Sequence, residues 1–340
     1  MKTPVIAIYH DLVWFGGIES SELDLIKKLY YAGYRVIFAH KNQYYTKLNT
    51  LAKFRPYAKI VDINEEKIVC DILIFSALVF PYWELEEDFI SKKRIGWIHF
   101  VPGKQLNYTL LGDEGFIKTI DKFISVSNKT MKETLIEQPL IDKSKIRVIH
   151  NTMDIDSISI MAQEKVDIES NDDEIVFVTV GRISPEKGIE KCAIMCQMLE
   201  DKNIKYKWYL VGAGAGGKYD LKVEEELKGH NIEWVGYQDN PYKYIARAHY
   251  GVLFTKDESW GLFIDECWYL GIPTITTLFD ALKERKNYQK YGITCNQDLS
   301  NLKVDEIIAK KDILKKNLKS WKFVNEYDKW VEEFIELLKQ

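Results

Sequence analysis

The chain has 340 residues, of which 46% are hydrophobic and 29% charged, which is enough for two ordinary packed cores. That composition excludes a disordered tail, a collagen-like rod and a disulfide-stapled mini-protein. With 47 basic against 51 acidic residues the net charge is −4, which argues against nucleic acid as a partner, since broad phosphate contact needs a basic excess.

Short β-branched runs alternate with longer helical stretches. Strands are expected at Val5–Tyr9, Arg35–Ala39, Lys59–Ile63, Asp71–Ser76, Arg94–His99 and Lys122–Ser127, with helices at Ile18–Tyr31 and Asn128–Glu137, the latter capped by Ser127. Most of these strands are near-continuous apolar runs, the pattern of parallel strands buried on both faces. The alternation pauses over the polar stretch at 152–173. It restarts at Ile175–Val180, Lys207–Val211, Ile232–Val235, Gly251–Phe254 and Thr274–Thr277. Strand–helix alternation twice over predicts two doubly wound α/β domains, with ligands outside the carboxyl ends of the strands in a central cleft.

From Ile313 onward the pattern is helical, and Phe323, Tyr327, Trp330, Phe334 and Leu337 form one apolar stripe that Trp321, Val324 and Val331 widen. The five cysteines contain no C-x-x-C pair, so neither a metal site nor a disulfide framework is expected. Cys192 and Cys196 read as core positions. The amino-terminal MKTPVIAIYH is strand-like and not a signal peptide, and no window of about 18 apolar residues occurs, so a cytoplasmic protein is expected.

Four stretches could carry chemistry. GAGAGG at 212–217 satisfies G-x-G-x-x-G, but it follows the second strand after the pause. It is read first as a sharp strand-to-helix turn and second as a nicotinamide or flavin site. GRISPEKG at 181–188 places Arg182 and Lys187 at a strand end beside a Ser184-Pro185 turn. A helix N-terminus there, with two cations, suits a diphosphate. In ESWGLFIDE, Glu258 and Glu266 stand eight apart around Gly261, where backbone can approach a ligand. Two carboxylates so placed can accept hydrogen bonds from polyol hydroxyls. Asp154-Ile-Asp156 spells D-x-D, although its place at the domain junction argues against a metal there.

GRISPEKG, then E-x7-E, then Gly271-Ile272-Pro273, in that order, resemble the retaining GT-B glycosyltransferases of glycosyltransferase family 4, of bacterial surface-polysaccharide type. The first half agrees through Gly16-Gly17-Ile18-Glu19, through Trp97-Ile98-His99, and through Ser125-Val126-Ser127 and Val148–Asn151 with Asp154. The resemblance implies two Rossmann-like domains. An acceptor-binding domain would span 1–160, a nucleotide-sugar domain 161–312, and a carboxyl-terminal helix, 313–340, would return to the first domain. It implies transfer of a hexose from a UDP- or GDP-sugar to a hydroxyl of a glycan or lipid-linked acceptor, with retained configuration, no cofactor and no metal. Arg182 and Lys187 would bind the diphosphate, Glu258 the sugar and Glu266 the ribose. Gly16, Gly17, Gly236, Tyr237, Trp260, Gly261 and Leu262 would complete the donor site, and His99 would orient the reaction centre. Glu19, His99, Tyr82 and Trp83, with the loop Phe100–Phe116, are the implied acceptor surface.

Lys92-Lys93-Arg94 is read first as a solvated strand entrance and second as a peripheral contact with anionic lipid at the inner membrane face. After Thr277 the family has a glycine pair, whereas this chain has Leu278-Phe279-Asp280-Ala281, so closure over the donor should differ. The rival readings are a GT-B-type epimerase, a non-catalytic GT-B partner subunit and a dinucleotide oxidoreductase.

Overall fold

The structure is a computed structural model that describes residues 3–339 except 12, 14–15, 42–47, 77, 79–87, 102, 104–108, 167–170, 172, 215 and 322, with backbone only for 323–328. The chain divides into two compact units, Met1–Met153 with Val324–Gln340, and Asp154–Phe323.

Among the described residues the first unit holds seven parallel strands: β1 (Val5–Tyr9), β2 (Arg35–His40), β3 (Lys59–Asp62), β4 (Ile68–Ser76), β5 (Phe89–Ile98), β6 (Lys122–Ser125) and β7 (Ile146–Val148). Their order in the sheet is β3-β2-β1-β4-β5-β6-β7. Helices α1 (Gly17–Tyr31), α2 (Leu48–Phe54), α3 (Glu114–Thr119) and α4 (Asn128–Glu137) join them. Ile6, Ala7 and Ile8 are wholly buried, as a strand covered on both faces requires. The rings of Tyr9, Phe75, Phe89 and Phe116 meet edge to face at 5.0–6.1 Å, the arrangement that aromatic quadrupoles favour. Ser127 caps α4 by accepting the Thr130 amide at 3.0 Å.

The second unit contains α5 (Ile155–Met161), β8 (Ile175–Val180), α6 (Lys191–Asp201), β9 (Tyr206–Val211), α7 (Lys218–Leu227), β10 (Ile232–Gly236), α8 (Tyr242–Ile245), β11 (Tyr250–Leu253), α9 (Leu262–Tyr269), β12 (Thr274–Thr277), β13 (Gly292–Cys295) and α10 (Val304–Leu318). Its parallel sheet runs β10-β9-β8-β11-β12-β13. Phe177, Trp208 and Leu210 pack on one face, and Val178, Tyr209 and Val211 on the other. Cys192 and Cys196 lie in the first of these cores. Strand order reverses between β1 and β4 and again between β8 and β11. Each reversal opens a crevice at the carboxyl ends of the strands.

The final helix, α11 (Phe323–Lys339), belongs to the first unit from Val324 onward. Phe334 meets the Trp97 ring at 5.3 Å, Trp330 meets His150 at 5.0 Å, and Lys93 Nζ donates to the Leu337 carbonyl at 2.6 Å. The single helix expected from Ile313 is two helices. Trp321 departs from the expected stripe: it packs edge-on against Trp268 at 5.6 Å, within the second unit. The stripe's Phe323 and Tyr327 side chains lie outside the described residues. Two strands, β7 and β13, are short and carry polar residues, and their runs are too brief to read. Strands β4 and β5 begin earlier than expected because Ile68–Cys70 pair with Phe89–Ser91.

Candidate functional site

The crevice of the second sheet is bordered by the turns after β8 and β11. Lys187 and Glu258 meet there, Nζ to Oε1 at 2.5 Å, both partly buried. Arg182 is mostly exposed, with Glu186 as a loose partner at 3.4 Å. The 181–188 turn docks on the β11 turn, since the Glu186 carbonyl accepts from Lys256 N–H at 2.8 Å and Thr255 Oγ1 at 3.0 Å. The helix expected directly after Pro185 is absent: α6 starts only at Lys191. Gly188 delays it. Its φ is +61°, and a Cβ there would lie 2.3 Å from the Phe254 carbonyl oxygen, so backbone turns where a helix would crowd β11.

Gly261 enters α9 in the left-handed region, φ +89°. Trp260 and Leu262 beside it are buried. Arg285 holds this turn: its guanidinium pairs with Asp265 at 2.6 and 2.8 Å and lies over the Trp260 ring at 3.9 Å. One turn into α9, Glu266 accepts from the Tyr242 hydroxyl at 3.1 Å. Burial pushes the Glu266 carboxyl up to about 7, against the pull of that hydrogen bond. Gly236, φ +73°, ends β10, and Tyr237 after it is exposed with its hydroxyl donating to Asp239 at 3.1 Å. Through Tyr242, the segment following β10 therefore reaches Glu266.

The glycine-rich turn is filled by the chain itself. A Cβ on Gly214 would meet the Asp220 carboxylate at 2.0 Å, and that carboxylate accepts from the Gly216 amide at 2.6 Å. An internal anion thus occupies the place a dinucleotide pyrophosphate would need. Gly212 has a separate reason: a Cβ there would sit 1.8 Å from the Gly181 carbonyl oxygen. Asp154 caps α5, accepting from the Ser157 amide at 3.1 Å and hydroxyl at 2.5 Å, while Asp156 is exposed.

In the first unit, Gly16 caps α1 in extended backbone, and Gly17 begins that helix. His10 follows β1, Ser76 ends β4, and His99 follows β5. Their strands are neighbours in the middle of the sheet, so the three side chains gather at its carboxyl end. His99 Nε2 lies 3.1 Å from Ser76 Oγ, and its buried Nδ1 has no hydrogen-bond partner among the described residues. His10 Nδ1 lies 2.9 Å from Glu22 Oε2. Burial opposes charge on His10, but Glu22, with Glu19 and Asp11, outweighs it and raises its pKa. Burial, reinforced by His10, holds His99 down at about 3, so this imidazole is neutral at ordinary pH.

Glu19 is buried on the first turns of α1. Sequence reasoning misses the His10–Glu22 pair. Its signal is there, because Glu22 occupies an inward position between Ile18 and Ile26 on the helix face. Tyr82 and Trp83 lie outside the described residues. Of the loop Phe100–Phe116, Leu110, Leu111 and Phe116 are core residues and offer no acceptor surface, whereas Phe100 is exposed. Lys92 pairs with Asp71 at 2.6 Å and Lys93 binds α11, so the basic cluster is engaged within the chain.

Comparison with known proteins assigns the architecture. A glycosyltransferase from Rickettsia africae superposes with a TM-score of 0.72 at 14% identity, covering 100% of this chain and 98% of that one. Anabaena HepE, solved in complex with UDP-glucose, gives 0.72 at 12% identity, covering 98% and 100%. The chain has the fold of GT-B glycosyltransferases. Within it, residues 161–319 match the family described as Glycosyl transferases group 1. An uncharacterized glycosyltransferase of Methanocaldococcus jannaschii is 22% identical over 142 residues, 40% of this chain, and the match spans 34% of that relative's length. No helix among the described residues is long and apolar enough to cross a membrane.

Proposed function

We propose that the protein is a retaining glycosyltransferase that moves a hexose from a UDP- or GDP-sugar to a hydroxyl of a glycan or lipid-linked acceptor, in surface polysaccharide or glycoconjugate synthesis. The observation that carries this reading is the grouping of Arg182, Lys187 and Glu258 at the β8/β11 crevice, within the segment that matches the group 1 family. The departing nucleoside diphosphate gains negative charge in the transition state, and fixed cations stabilise it there. Arg182 and Lys187 supply that charge without a metal ion. The Gly261 turn offers amides to phosphate or sugar, and Gly16 and Gly17 at the start of α1 do the same.

Glu258 takes sugar hydroxyls once the diphosphate draws Lys187 away, and Glu266 takes the ribose. Gly236 and Tyr237 meet the base. His99, neutral, orients the donor sugar by a hydrogen bond and is no general acid. Glu19 and His99 are the described candidates for acceptor contact.

Binding of a UDP or UDP-glucose ligand by HepE supports a nucleotide-sugar donor. A thermal-shift panel of UDP-, GDP- and TDP-sugars tests the proposal, because a ligand at 100 times its Kd adds about 2.7 kcal/mol to stability. Product from the stabilising donor and a hydroxyl acceptor, with retained anomeric configuration, is the expected result. No shift with any nucleotide sugar would refute it.

A further inference from the structure

Arg285 stands outside every motif used above, yet the residue is only 7% exposed and its guanidinium is fully engaged. Nε donates to Asp265 Oδ1 at 2.8 Å, and Nη2 donates to Asp265 Oδ2 at 2.6 Å and to the Gly261 carbonyl at 3.1 Å. Nη1 donates to the carbonyls of Trp260 at 3.0 Å and Ala281 at 3.4 Å. Five N–H groups thus meet five bonds, and the cation lies over the Trp260 indole, Cζ to ring centroid 3.9 Å.

Two of these acceptors flank the left-handed turn at Gly261. A trans peptide unit is planar, with its C=O and N–H pointing in opposite directions. Holding the Trp260 carbonyl therefore fixes the Gly261 amide, and holding the Gly261 carbonyl fixes the Leu262 amide. Both amides point away from Arg285. Lysine could keep the charge opposite Asp265 but, with a single nitrogen, could not span Asp265 and both carbonyls in one plane.

We propose that Arg285 is a positioning residue for anion binding, which aims the amides of Gly261 and Leu262 by anchoring the carbonyls behind them. The inference rests on the reading of this turn as the donor site. It gives the 278–285 segment, which stands where the resemblance leads one to expect a glycine pair, a different role, that of bracing the donor turn from behind.

The test uses the full chain with UDP and GDP as probes. Arg285→Lys keeps the charge, while Arg285→Met combined with Asp265→Leu removes the pair without stranding a buried carboxylate. Glu200→Gln, which removes the charge behind the contacts to Tyr206 and His230 elsewhere in the same unit and so weakens them, controls for general destabilisation. Calorimetry should show at least a tenfold weaker nucleotide Kd in both Arg285 changes. Amide exchange across Gly261–Ile264 should accelerate, and Glu200→Gln should stay within twofold of wild type. A folded Arg285 variant with wild-type Kd overturns the inference alone. A wild-type protein that binds neither nucleotide overturns the donor-site reading and the inference with it.

Discussion

Glu266 offers a test of the ribose assignment in which the surroundings of one carboxyl set the outcome. Burial, with a smaller push from Asp265, carries it from 4.5 to about 7, although Tyr242 donates to it. A group titrating there is about 90% protonated at pH 6 and about 90% ionised at pH 8. Ribose hydroxyls bond the carboxylate more strongly than the acid. If the ionised form alone binds, the nucleotide Kd tightens about tenfold across that interval, or ~1.4 kcal/mol. A terminal phosphate titrates near pH 6, so its ionisation overlaps the lower part of this interval. The informative quantity is therefore the difference between wild type and Glu266→Gln, whose amide has no charge to lose. Calorimetry of UDP at pH 6, 7 and 8, in two buffers of different ionisation heat, gives Kd and proton release together. A steeper pH slope and a larger proton release in wild type than in the variant are expected; equal pH dependence in the two proteins would refute the assignment. Ligand-free stability has the opposite sign. The folded state binds this proton more tightly than the unfolded chain, so stability falls as pH rises from about 4.5 to 7, by about 3 kcal/mol at most. Glu266→Gln should accordingly melt above wild type at pH 8 and level with it at pH 4.

Arg182→Ala should lower kcat/KM by about 2–4 kcal/mol of transition-state stabilisation with an unchanged Tm, whereas Lys187→Ala should add a stability loss of about 1–3 kcal/mol because Glu258 is left half-enclosed without its cation. Wild-type turnover in either variant contradicts the diphosphate role. Gly188→Ala should destabilise the second unit by more than about 1 kcal/mol in urea titration, since both its φ and the Phe254 carbonyl resist a side chain; an unchanged midpoint would show that the turn relaxes freely. Phe334→Ala should cost about 3–5 kcal/mol, and ending the chain at Lys319 should give an insoluble or inactive protein. A soluble, fully active truncation counts against the packing role of α11.

What can be read from the sequence is local. The β8 and β11 turns announce themselves through glycine, proline and charged residues within eight or nine positions, and two-sided burial of β1 or β8 shows as an unbroken apolar run. Contacts between distant segments leave fainter marks. Asp265 and Arg285 are twenty apart and meet only because β12 intervenes, and His10 reaches Glu22 only once α1 has folded back along β1. Pro185 suggests a helix that Gly188 postpones. Trp321 has the spacing of the final stripe, but the turn at Leu318–Trp321 separates it from α11, and the indole finds Trp268 instead.

The first unit is assembled from two stretches of chain separated by the 170 residues from 154 to 323. At a synthesis rate of ~5–20 residues per second, the first stretch waits roughly ten to thirty seconds for α11 to emerge. Through that interval the Trp97 face and the Lys93 ammonium stand uncovered, while the second unit, continuous in sequence, is free to complete its own sheet. The second unit's sequence is thus complete before the first unit's, although it starts later. The earlier one is the part of the nascent protein that a chaperone would have reason to hold.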